Sequence, residues 1–198
     1  MEYLPGTILP WTSAGKRPAF SLLDPIFAVS GEGLLLSQIT SLTGLSAPTV
    51  QNWVKRGWVS NPVNKRYSPL HVARILLINL LRPAMRLEQI AAVLTMINGS
   101  VDNRADDIIP ETKLYNDLCD AILALDRQKA FCYESVASLV DEQLKGYEEP
   151  VPGAKARLSQ ALTLMLLNIA AANLMQRAEG IYASLQAETT SAPTTRRS

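Results

Sequence analysis

Within eight residues the chain places Thr49, Gln51, Asn52, Lys55 and Arg56, and a short way on it places Lys65 and Arg66. Amide side chains such as Gln51 and Asn52 can bond the edge of an adenine in two places, and lysine and arginine suit phosphate oxygens. Together these types could recognise double-stranded DNA; they do not make or break bonds. His71 is the sole histidine, acids do not cluster around a nucleophile, and G-E-G at 31–33 is too short for a phosphate loop, so neither a catalytic residue nor an enzyme activity is expected. Cys119 and Cys132 lie thirteen apart on expected helix. They lack metal-site spacing and read as buried free thiols, so neither a metal nor a cofactor is expected.

The elements that must position these residues are legible around them. Ser37 or Thr40 can start a first helix, on which Ile39 and Leu42 lead to Leu45 as an apolar stripe. Gly44 suits the left-handed residue at that helix's end. Ser46 can cap the next helix, with Pro48 in its first turn. On the helix over 48–56, Val50, Trp53 and Val54 form the buried side and leave the polar residues outward. Gly57 closes it, and Trp58 and Val59 lead into a strand. Residues 62–67 form a basic hairpin, the wing. Ser68-Pro69 opens another helix, ended by Pro83, and a further helix runs from about 86 to 97.

Charge is local. The net charge is +1, too little for binding nucleic acid by bulk charge. Yet Lys55, Arg56, Lys65, Arg66, Arg74, Arg82 and Arg86 fall together, with no acid between Glu32 and Glu88, while acids gather at 102–107 and 141–149. A basic front and a neutral or acidic back are implied.

The remaining chain divides at turn-rich breaks. An N-terminal extension covers 1–33, in which Leu22, Leu23, Ile26, Phe27 and Val29 suit a short helix packed on the winged unit. That unit covers 34–98, a helical region follows over 111–188, and 189–198 reads as a disordered tail. The last helix, over 154–187, carries Leu158, Leu162, Met165, Ile169 and Ala172 at alternating three- and four-residue spacing, the pattern of a dimer seam. Its apolar run is broken by Asn168 and Asn173, flanked by Arg157 and Arg177, and reads as a soluble helix rather than a membrane span. Leu- and Met-rich helices could also enclose a small-molecule effector, though no residue pattern identifies one. The first eleven residues lack the basic region and apolar run of a signal peptide.

Residues 36–94 resemble the DNA-binding domain of MerR-type transcription regulators. The matching landmarks are T-G-L-S at 43–46, Thr49, Trp53, K-R-G-W-V at 55–59, K-R-Y-S at 65–68 and R-L-E-Q-I at 86–90. Asn52 stands where that family usually has tyrosine, His71 where it has an acid and Ala84 where it has glycine. The resemblance implies DNA contacts at Ser46, Thr49, Gln51, Asn52, Lys55, Lys65, Arg66 and Tyr67. With L-P-W at 9–11, roughly 8–150 also resembles a family of uncharacterised bacterial proteins, a domain of unknown function with a presumed regulatory role.

The fold class expected is mainly all-α: a MerR-like winged helix-turn-helix with a small β wing, followed by a helical dimerisation or effector region. The function expected is that of a cytoplasmic, sequence-specific DNA-binding transcription regulator acting as a homodimer. Gln51 and Asn52 would read bases, and Lys55, Arg56, Lys65 and Arg66 would grip phosphates. The alternative is a protein-interaction module that keeps the winged fold without binding DNA, which the modest charge and apolar last helix suit.

Overall fold

The computed structural model describes residues 3–11, 17–103, 105–128 and 132–191. A 3-10 turn (Ala19–Leu23) leads into α1 (Asp24–Ser30), β1 (Leu34–Leu35), α2 (Leu36–Thr43) and α3 (Ala47–Lys55). Then come β2 (Arg66–Tyr67), α4 (Pro69–Leu81), α5 (Leu87–Asn98), α6 (Glu111–Gln128), α7 (Tyr133–Gln143) and α8 (Ala154–Ser191). The mainly helical architecture with one small sheet is as expected. β1 and β2 pair antiparallel, Leu34 opposite Tyr67 and Leu35 opposite Arg66.

Helix α4 explains the arrangement. Val72, Ala73, Ile75, Leu76, Leu77, Ile78 and Leu81 are all buried, and a helix apolar on every side must be covered on every side. Helices α2, α5, α6 and α8 cover it. One hydrophobic cluster therefore runs from Leu4 to Ile169. The break after α5 interrupts the helices but not the packing: Ile108 and Ile109 are buried, and the Tyr147 hydroxyl donates to Ile108 O at 2.6 Å.

The N-terminal segment meets the winged unit, as expected, and α6 as well. Leu23 is buried, but Leu22 and Val29 face solvent; Gln38 Nε2 of α2 donates to Ser30 Oγ at 3.0 Å, and the 3-10 turn docks on α6. Phe20 meets Tyr115 of α6 edge-on at 6.0 Å, and its N–H donates to Asn116 Oδ1 at 2.7 Å. The Tyr115 hydroxyl donates to Pro5 O at 2.6 Å, and burial pushes its pKa up.

Helix α8 corrects the expected dimer seam. Leu158, Leu162 and Met165 are fully buried and Ile169 nearly so, all within the chain's own core, where α8 packs on α5, α6 and α7. Ala172 is half-buried. Alternating three- and four-residue spacing marks a helix–helix seam without saying whether the partner lies in the same chain. The expected tail is helical over 189–191; the rest of it lies outside the described residues. The 154–184 stretch is long and apolar enough to cross a membrane, and 39% of its most apolar window is buried inside the fold.

The two thiols differ. Cys119 is buried, as expected, but Cys132 is exposed, because it sits before the first turn of α7 as its N-cap. Burial pushes the Cys119 thiol up, so its reactive thiolate is scarce at neutral pH. Ellman's reagent on the native protein is expected to titrate one thiol rapidly, and Cys132→Ser should abolish that phase. Two rapid thiols would contradict the placement of Cys119.

Candidate nucleic-acid interface

Local rules build the α2–turn–α3 unit. Gly44 closes α2 in the left-handed conformation (φ 70°), which glycine adopts without strain. The Thr43 hydroxyl donates to Ile39 O at 2.7 Å and accepts from Leu45 N at 3.2 Å, fixing the start of the turn. Ser46 Oγ accepts from Thr49 N at 3.3 Å and shares a hydrogen bond with Thr49 Oγ1 at 2.8 Å. Ser46 is therefore the cap that its sequence position suggested, with Pro48 in the first turn. Helix α2 starts earlier than Ser37 or Thr40: its cap is Leu35, whose N–H donates to Gln38 Oε1 at 2.8 Å.

At the other end of α3, Gly57 N donates to Val54 O and Trp58 N to Trp53 O, both at 2.9 Å. That paired closure is a Schellman motif. Trp58 and Val59 complete this cap instead of forming the expected strand. The hairpin follows. Asn64 and Lys65 both have positive φ (50° and 60°), and Arg66 N donates to Val63 O at 2.8 Å, the geometry of a type I′ turn. Its returning arm, β2, pairs with β1.

The outer face of α3 is as expected from the spacing. Val50 and Trp53 are buried, and Gln51, Asn52, Lys55 and Arg56 are exposed along one side, with Pro48 at its start. Thr49 is half-buried beside Ser46, so both hydroxyls serve the cap. Lys65 is exposed at the hairpin tip.

Two hairpin residues do not face outward with Lys65. Arg66 turns its Nη1 to Ser30 O at 3.0 Å and Gly33 O at 2.9 Å, tying the hairpin to the segment before β1. Tyr67 is buried and packs edge-on against His71 at 6.0 Å. Alternation along a strand sends neighbours to opposite faces, and Tyr67 falls on the core side. Arg56 lies 5.0 Å over the Trp58 ring and 3.4 Å from Glu88, an exposed pair that contributes little. Lys55 and Lys65 are thus the cations on this face with neither a structural bond nor a neighbouring acid among the described residues.

Sequence reasoning missed the contacts that fix this unit to the rest. Arg74 belonged to the expected basic front, yet it is buried. Its Nε donates to Trp58 O at 3.0 Å and its Nη1 to Glu111 Oε1 at 2.5 Å, joining the α3 cap to α6. Asn79 Nδ2 donates to Gly6 O at 2.8 Å and Thr43 O at 3.3 Å. Ile8 N donates to Leu42 O at 3.0 Å. His71 sits three residues after the α4 cap: Ser68 N donates to its Nδ1 at 3.1 Å, and its Nε2 lies 3.2 Å from Asn61 O. The one signal available in the sequence was an arginine inside an apolar helix, which needs a partner when buried.

Comparison with known proteins adds kinship without an activity. Residues 22–118 match the family described as Domain of unknown function (DUF1836), inside the 8–150 span over which an uncharacterised family was expected. The chain is similar to "Uncharacterized protein YkrK" of Bacillus subtilis (strain 168), 24% identical over 160 residues, a match covering 76% of this chain and 69% of that one. No solved structure matches.

Proposed function

We propose that this chain is a sequence-specific DNA-binding regulator of transcription that acts in the cytoplasm as a homodimer, with α3 in the major groove and the hairpin tip on the backbone. The observation that carries this reading is the outer side of α3. Two amides and two cations lie along one exposed face of a capped helix, opposite a buried tryptophan, beside a hairpin that ends in a lysine. A helix so held presents its polar side as a rigid unit, as groove reading requires. The resemblance of 36–94 to MerR-type DNA-binding domains supports the same assignment.

Gln51 and Asn52 read base edges, and Lys55, Arg56 and Lys65 hold phosphates. Ser46, Thr49, Arg66 and Tyr67, which the resemblance had placed at the DNA, act instead by holding the unit's shape. Lys65→Ala should weaken binding to all sequences and lower the salt slope of log K by about 1. Gln51→Ala should instead alter which sequence is preferred, at about 1–3 kcal/mol of discrimination. Equilibrium binding to specific and scrambled duplexes at several salt concentrations separates the two. A Gln51 variant that weakens all sequences uniformly would contradict base reading.

The dimer surface on this reading is the distal part of α8. Leu174, Met175, Ile181 and Tyr182 are exposed there, and Leu174, Ala178 and Ile181 recur at four- and three-residue spacing. Two copies of one such stripe are self-complementary about a two-fold axis. Leu174→Glu with Ile181→Glu should convert a dimer to a monomer in sedimentation equilibrium and leave the circular dichroism melt of the core nearly unchanged. A dimer that survives both changes would remove α8 from the interface.

A second reading is favoured by the inward bonds of Arg66 and the Glu88 neighbour of Arg56, which thin the positive charge of this face. It is a module that binds a partner protein through the same surface. Binding to random-sequence DNA at low salt discriminates, since a protein-only module should show almost none.

A further inference from the structure

Between the N-terminal segment, the end of α4 and α8 lies a cleft of about 850 Å³, within the range of small-molecule sites. Its apolar side is formed by Leu80, Ile122, Ile169 and Ala172; Ile122 and Ile169 are at least nine-tenths buried. Along its α8 side stand Asn173, Gln176 and Glu179, three residues apart and so on one face of the helix. Among the described residues none of these three side chains has a hydrogen-bond or ion-pair partner. Among the described residues the lining holds one acid, Glu179, and no lysine, arginine or histidine.

We propose that this cleft binds a small aliphatic amine, with its hydrocarbon body on Leu80, Ile122 and Ile169 and its ammonium group at Glu179, oriented by the amides of Asn173 and Gln176. An apolar floor favours a hydrocarbon of several methylenes, and an acid with no counter-charge selects a cation over a neutral or anionic head. Asn79, on the same lining, bonds the carbonyl that ends α2, so an occupant touches the support of the α2–α3 turn. The site stands independently of DNA binding, because its test reads ligand alone.

The test titrates full-length protein with octylamine, octanol and octanoate below their micellar concentrations, by calorimetry and by backbone amide shifts. Octylamine is expected to bind saturably, ahead of octanol, with octanoate weakest. Affinity should rise about fourfold per methylene from butylamine to octylamine. Shifted amides should map to residues 76–84 and 169–179. Glu179→Gln should weaken octylamine about two- to fivefold, as an exposed ion pair allows, and leave octanol unchanged. Ala172→Trp should abolish both by filling the floor. Octanoate binding as well as octylamine, affinity flat with chain length, or shifts that map elsewhere in the unaltered protein would overturn the proposal.

Discussion

Arg74→Met is expected to lower the free energy of unfolding by about 3–5 kcal/mol. Arg74 and Glu111 are both almost fully buried, with their charged atoms in contact. Removing the guanidinium takes a charged hydrogen bond from the buried Glu111 carboxylate and the donor from Trp58 O. The buried charge is the larger loss, so the double change Arg74→Met with Glu111→Leu should recover most of the stability, since apolar side chains of similar size often replace a buried ion pair at little net loss. Urea denaturation of the two single variants and the double variant checks this as a cycle. Equal losses that simply add would mean that the pair is not coupled.

Trp53→Ala is expected to cost a similar amount, about 3–5 kcal/mol. Trp53 is among the largest fully buried side chains, and its removal takes away apolar area and leaves a void that the surrounding helices can close only in part. A loss of that size is a large share of the ~5–15 kcal/mol that holds a typical domain together. Trp53→Phe should cost distinctly less. Because the backbone carbonyl of Trp53 also accepts the N–H of Trp58 at the helix end, loosening this residue should loosen the face that carries Gln51, Asn52 and Lys55. DNA affinity should therefore fall in Trp53→Ala even though Trp53 cannot reach DNA. A variant of near-normal stability would contradict the burial of this ring.

Features governed by neighbouring residues were legible in the sequence. Gly44, Ser46, Pro48 and Gly57 mark the ends of α2 and α3 because caps and left-handed turns depend on residues only a few positions apart. The outward side of α3 followed from period alone. What the sequence left open depends on distant partners. The arginine at 74 looks basic until Glu111, 37 positions away, is brought against it. Arg66 looks like a phosphate ligand until the carbonyls of Ser30 and Gly33 fold over it. The stripe from Leu158 to Ile169 has the same spacing whether it meets a second copy or the chain's own α7, and only the fold decides. Trp58 and Val59 carry strand-favouring side chains, but the glycine before them closes a helix cap that takes their backbone. Asn173, Gln176 and Glu179 acquire interest only when the N-terminal segment and α4 build a cleft beside them.

On the proposed function, the face of α3 and the hairpin tip read DNA. Selection from a randomised duplex pool with the purified full-length protein, at two salt concentrations and with the retained sequences read out, tests it most directly. Enrichment of one two-fold symmetric sequence is expected, with affinity falling as salt rises and with enrichment lost in the variant carrying Gln51→Ala and Asn52→Ala. No retained DNA at the lower salt would contradict it and would assign the surface to a protein partner.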